Sequence, residues 1–225
     1  MTAAPGLLPS GPPYAPPRAP LRVVFADSHL VVVAKPSGLL SVPGKDPGLA
    51  DCLETRVRAR FRDALLLHRL DMDTSGLMIF ARNRPAQRLI ARQFEQRRVG
   101  KTYIARVWGA PSEDAGRIDL PLTCDWPRRP LQMVCRQTGK PSVTDWQVIA
   151  REGPLTRLRV TPQTGRSHQI RVHLLSLGLP IAGDRFYASG PALAAADRLQ
   201  LHAETLTLRH PETNRPVSFT APAPF

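Results

Sequence analysis

The sequence predicts an α+β fold built on a mixed sheet. Three observations carry that reading. Short β-branched or apolar runs recur along the chain, bounded by Gly, Pro, Asp and Ser. Only three stretches show the period of an amphipathic helix. Strands and helices follow one another without the regular alternation of a doubly wound parallel sheet.

In chain order, Leu21–Phe25 and Leu30–Ala34 predict a hairpin about Asp27-Ser28, and Pro36-Ser37-Gly38 ends its second strand. Residues 49–61 predict a helix with Leu49, Leu53, Val57 and Phe61 on one face. Leu65-Leu66-Leu67 and Leu77-Met78-Ile79-Phe80 predict buried strands. Arg84–Val99 predicts a second helix with a stripe of Leu89, Ile90 and Phe94. Tyr103–Trp108, Val143–Ile149 and the run through Leu155, Leu158 and Val160 predict strands. A helix is expected from an N-cap at Ser167 to a stop at Gly178, with Ile170, Leu174 and Leu177 inward. Leu201–Leu208 and Val217–Thr220 predict the last strands.

Residues 1–20 hold seven prolines and are expected to be extended or disordered, leaving 21–225 as the folded domain. No secretory signal is evident, and no apolar run approaches the roughly 20 residues that span a bilayer. Cys52, Cys124 and Cys135 form no Cys-x-x-Cys pair, which disfavours a disulfide framework or a zinc site. A reduced, cytoplasmic setting is expected.

The 225-residue chain carries a formal net charge of +13. Its lysines are Lys35, Lys45, Lys101 and Lys140, so arginine supplies almost all of the excess. Guanidinium groups fork onto phosphates and stack on bases, which points to nucleic acid as the polyanionic partner, with a codon bias favouring arginine as the alternative. For any single arginine a solvated helix face is the simpler explanation.

The chemistry concentrates at His68-Arg69-Leu70-Asp71-Met72-Asp73-Thr74-Ser75-Gly76-Leu77. A carboxylate at the mouth of a core strand is costly unless it is paired or used, so Asp71 is the first candidate. Asp71 and Asp73 could be a glycosidase-like pair, but such pairs come from separate elements. Lys101-Thr102-Tyr103 opens a strand with a tyrosine, and Gly165-Arg166-Ser167-His168-Gln169-Ile170-Arg171-Val172-His173 surrounds a helix start. His168 and His173 are five apart, poor spacing for a shared metal, and no metal or other cofactor is expected.

Together these segments resemble the RluA-type pseudouridine synthases, isomerases of uridine in rRNA and tRNA. Pro180-Ile181-Ala182-Gly183-Asp184 and His202-Ala203 extend the resemblance. Residues 37–44, 119–127 and 183–188 are similar to the RluA branch, which is implied to lack an S4-like RNA-binding domain. The implied fold is that of the pseudouridine synthases: a mixed, mostly antiparallel central sheet flanked by helices and loops, with a catalytic cleft across the sheet.

The resemblance implies that Asp71 starts the reaction, Arg166 is its cationic partner and Tyr103 stands in the uracil pocket. Arg69 is expected to fill the space left by a flipped base or to grip a flanking phosphate, a plain salt bridge to Asp71 or Asp73 being the alternative. Leu201 is expected to wall the pocket, and Arg171 to contact phosphate or support its helix. The implied substrates are a 23S rRNA hairpin loop and a tRNA anticodon stem-loop, with no DNA or membrane partner and a monomeric enzyme. A paralogue with another uridine target, or a catalytically silent RNA-binding factor, is the competing reading.

Overall fold

The computed structural model describes residues 14–225. The expected disorder of residues 1–13 lies outside that range. Before Leu21, the carbonyls of Pro17 and Ala19 accept hydrogen bonds from Arg56 Nη1 at 2.9 and 3.4 Å.

Twelve strands and four α-helices are present among the described residues. In chain order they are β1 (Arg22–Ala26), β2 (Leu30–Lys35), α1 (Leu53–Arg60), β3 (Leu65–Leu66), β4 (Ser75–Ala81) and α2 (Arg84–Glu95). Then come β5 (Gly100–Trp108), β6 (Ala115–Asp119), β7 (Leu122–Cys124), β8 (Gln132–Val134), β9 (Val143–Glu152) and β10 (Leu155–Pro162). The chain ends with α3 (Gln169–Ser176), α4 (Gly190–Ala194), β11 (Leu201–Arg209) and β12 (Pro216–Thr220). Strand pairing is mixed and mostly antiparallel, as expected of the α+β class. No helix of the described residues is long and apolar enough to cross a membrane.

Two compact units divide the chain. A terminal unit comprises Pro16–Ala105 and Arg198–Phe225, and a central unit comprises Arg106–Asp197.

In the terminal unit the strand order is β1-β2-β4-β11-β5, with β12 on β11 and β3 on β4. The hairpin closes as the sequence predicts, because Asp27 Oδ1 accepts the backbone N–H groups of His29 and Leu30 at 2.7 and 2.8 Å. Strands β2 and β4 are buried on both faces, which is why they read as continuous apolar runs. Leu30, Val32, Leu77 and Ile79 face a core covered by Ile90 of α2 and Phe219 of β12. Val31, Val33, Met78 and Phe80 face a second core covered by Leu53 and Val57 of α1.

Both helices of this unit are shorter than the sequence predicts. Residues 47–49 form a separate 3-10 turn capped by Asp46, and α1 starts afresh after Cys52, whose backbone N–H donates to Thr55 Oγ1 at 3.0 Å. Helix α2 stops at Glu95 because Arg97 turns left-handed, φ 56°, and sends the chain into β5.

In the central unit β10, β9 and β6 form an antiparallel meander, and β7 pairs β8 in a separate hairpin. The start of α3 departs from expectation. His168 holds the cap position at φ 52° without a capping side chain. Gln169 does the work instead: its Oε1 accepts from Arg166 N and Thr164 Oγ1, and its Nε2 donates to Val143 O. The stop at Gly178, φ 73°, is as expected.

Candidate active site

In the terminal unit, Asp71 lies on the irregular stretch between β3 and β4, half-buried. The segment Lys35–Ser41 pins that stretch by its backbone. Ser41 Oγ donates to Leu70 O at 2.6 Å and accepts Leu70 N–H at 3.1 Å. Ser37 Oγ donates to Asp73 O at 2.6 Å, and Gly38 N–H donates to Met72 O at 3.0 Å.

Lys35 is 1% exposed, and its ammonium donates to Met72 O and Leu39 O at 2.7 Å and to Pro36 O at 3.0 Å. Burial pulls its pKa down to about 7, while the charges of Asp73 and Asp71 pull the other way. Nothing in the sequence reading singled out Lys35 or Ser41. The available signal was a lysine closing an otherwise apolar strand directly before Pro-Ser-Gly.

Tyr103 is half-buried on β5 and packs on the second core. Burial raises the pKa of its hydroxyl well above the usual phenol range, and the nearby Asp71 carboxylate raises it further. Tyr103 is therefore a neutral phenol close to the Asp71 carboxyl, able to donate a hydrogen bond but not to act as a resting phenolate.

The remaining motif residues have structural reasons. His68 Nε2 accepts Ile79 N–H at 3.1 Å, on the stretch of β4 between its pairing with β3 and its pairing with β11. The imidazole thus satisfies an edge that no strand covers. Burial, with Lys101 adding to it, drives the His68 pKa down to about 3. A neutral histidine in the folded state binds fewer protons than in the unfolded chain, so stability falls as pH drops below about 6.5. Between pH 7 and 5 the wild type is expected to lose about 2 kcal/mol more stability than a His68→Gln variant, which keeps an acceptor but cannot titrate. Urea denaturation at the two pH values checks this, and an equal loss in both proteins would refute it.

Ser75 Oγ hydrogen-bonds His202 Nδ1 at 2.8 Å and accepts from Arg198 Nη1 at 3.2 Å, while His202 Nε2 meets Ala221 O at 2.8 Å. Gly76, φ 118°, sits against Ala203, where an added Cβ would fall 2.3 Å from the Ala203 oxygen. The Thr-Ser-Gly of the motif and His202-Ala203 are thus two halves of one parallel strand junction.

Arg69 is exposed and forms no ion pair among the described residues, so the salt bridge to Asp71 or Asp73 is not made. Leu201 opens β11, 3% exposed. Arg166 and Arg171 belong to the central unit. Arg166 is exposed in the loop before α3, its backbone N–H held by Gln169.

Of the two roles expected of Arg171, the structure favours support of its helix over a phosphate contact. It is 2% exposed, and Asp184 binds it through two hydrogen bonds, Nε–Oδ2 at 2.8 Å and Nη2–Oδ1 at 2.6 Å. Its guanidinium carbon lies 5.2 and 5.0 Å from the ring centroids of Phe186 and Tyr187. A guanidinium sunk this deep cannot reach a backbone phosphate. It fastens α3 to the turn after Ile181.

His173 is also structural, bonded to Thr144 Oγ1 and Leu120 O. Among the described residues one cluster has metal-ligand types, Asp27, His29 and His210, with candidate atoms within 4.8 Å of one another. His210 Nδ1 accepts N–H from Glu212 and Thr213, so Nε2 carries the proton and donates to Asp27 Oδ2 at 2.8 Å. That is a hydrogen-bonded triad, with the nitrogen a cation would need already protonated.

The family model described as RNA pseudouridylate synthase matches residues 29–176. The chain belongs to that family. The dual-specificity RNA pseudouridine synthase RluA of Yersinia pestis is 53% identical over 204 residues, covering 90% of this chain and 99% of the relative. Its counterpart in Escherichia coli K12 is 51% identical over 214 residues, covering 94% and 98%. Among solved structures, human RNA pseudouridylate synthase domain containing 1 superposes with a TM-score of 0.76 at 30% identity, covering 91% of this chain and 84% of that one. As an RNA pseudouridine synthase this chain is an isomerase, converting uridine to its C-linked isomer within RNA.

Proposed function

We propose that this pseudouridine synthase acts on two kinds of structured RNA, a 23S rRNA hairpin loop and a tRNA anticodon stem-loop, as a monomer in the cytoplasm. The observation that carries the proposal is the identity of 51–53% to synthases named dual-specificity, over nearly the full length of both chains. Folded RNA is usually recognised by the shape of its loops, and both proposed substrates present one.

Asp71 initiates the exchange. The bond between ribose C1′ and uracil N1 breaks, the base turns, and C1′ joins C5; the proton leaves C5 and N1 gains one, so the RNA is isomerised with no net consumption of any reagent. The flipped base is reached only after unstacking, which costs a few kcal/mol. Arg69, exposed and without a carboxylate partner, suits the vacated space or the flanking phosphate. Tyr103 stacks on the uracil and offers its hydroxyl for proton movement at C5. Arg166, by its match to the family motif, is the cationic partner of Asp71. Leu201 is the apolar wall, and Arg171 supports the Arg166 segment from beneath.

Pseudouridine mapping of total rRNA and tRNA from cells with and without the protein tests the proposal. One 23S position and one anticodon-loop position are expected to revert to uridine. Reversion in a single RNA class overturns dual specificity, and no reversion overturns the proposal as a whole.

A further inference from the structure

The terminal unit holds a groove between the C-terminal end of α2 and the far end of β11. Arg92, Gln93, Gln96, Arg98, Arg209 and Asn214 line it, and no carboxylate does. Three arginines of the same unit are matched to acids: Arg56 to Asp51, Arg58 to Glu54 and Arg82 to Asp63. In the groove, Arg92 and Arg98 are exposed and make no ion pair among the described residues.

The helix dipole accounts for a cation at Arg92, in the last turn of α2. It does not account for Arg98, beyond the helix, or for Arg209 on another strand. The walls are bolted together: Gln93 Nε2 donates to Arg209 O, and Arg209 N–H donates to Gln93 Oε1, both at 2.8 Å. Exposed guanidiniums without an ion pair, on a braced frame in which Arg209 Nη1 also donates to Asn214 O at 2.8 Å, are suited to the phosphodiester backbone.

The location narrows the occupant. Helix α2 packs on the face of β4 that carries Leu77 and Ile79, whereas Tyr103 packs with Met78 and Phe80 on the other. Arg209 lies six residues along β11 from Ala203, the neighbour of Gly76, or roughly 20 Å. The groove therefore lies on the α2 side of β4, away from the face on which Tyr103 packs. We infer that the groove binds the backbone of an RNA segment outside the hairpin that carries the reacting uridine, and so serves a large folded RNA over a minimal stem-loop. The inference rests on the proposed action on rRNA and tRNA.

The test uses the full chain, an isolated anticodon stem-loop and a long 23S rRNA fragment containing its target hairpin, with binding followed by fluorescence anisotropy across a salt series. An Arg92→Gln/Arg98→Gln variant is expected to bind the long fragment about tenfold more weakly. Its slope of log K against log salt falls by about 1 to 2. The affinity ratio of long fragment to stem-loop falls with it. An Arg92→Lys/Arg98→Lys variant, keeping the charge, is expected to recover most of the long-fragment affinity. A change under twofold, an equal loss on both RNAs, or no recovery with lysine would each overturn the inference. Turnover is scored separately: if the wild type isomerises neither RNA the proposed function fails, while the binding ratio still decides the groove.

Discussion

An Asp71→Asn variant is expected to fold normally and to release tritium from C5-labelled uridine at least about a thousandfold more slowly, the scale a positioned proton-transfer or nucleophilic group supplies. Folding survives because the stretch is held by its backbone: Ser41, Lys35, Ser37 and Gly38 all bind the main chain of Leu70, Met72 or Asp73. Removing the charge also has two expected spectroscopic consequences. The Asp71 carboxylate raises the pKa values of both Tyr103 and Lys35, so each should fall in the variant. Ultraviolet titration of the phenol and chemical-shift titration of the amine report these shifts. Near-wild-type tritium release would remove Asp71 from the reaction.

Replacing Gly76 with alanine is expected to be the most damaging small substitution in the terminal unit. The new Cβ would sit 2.3 Å from the Ala203 oxygen and 2.5 Å from its nitrogen, at a φ of 118° that L-residues rarely adopt. The nearest atoms are all Ala203 backbone, which leaves no flexible group to yield. The cost is about 3 kcal/mol or more, which for a chain of this length lowers Tm by about 6–12 °C. Gly153→Ala is the control, since Gly153 also has a positive φ, 63°, but nothing lies within 4 Å of its added Cβ. It should cost only about 1–2 kcal/mol of backbone strain. Equal losses of Tm in the two variants would show that the β4–β11 junction tolerates a side chain.

The comparison between sequence and structure turns on where information is stored. Strands β2, β4, β9, β10 and β11 were legible because their side chains carry the burial pattern. The start of α1 was misplaced because Leu49 falls four residues before Leu53, in phase with a helix it does not join. Strands β6, β7 and β8 and the short helix α4 went unread: unlike β1 with Val23-Val24-Phe25 or β12 with Val217 and Phe219, they carry no run or alternation of β-branched and aromatic residues. At the site, Asp71 and Tyr103 were visible as residue types in a motif. Lys35 and Ser41 were not, since what they bind is carbonyl oxygen, which every residue possesses. Arg171 stayed between helix support and a phosphate contact because its partner Asp184 is thirteen positions away and the pairing is made only by folding.

The chain departs from the terminal unit after Ala105 and re-enters at Arg198, and Ala105 pairs with Leu201 across β5 and β11. Exit and return are therefore neighbouring rungs of one ladder. Such a doorway lets the 92 residues of Arg106–Asp197 lengthen, shorten or drift while the scaffold holding Asp71 keeps its register. Evolution of target choice by exchanging loops in the excursion, with the acid left untouched, is the freedom this wiring confers.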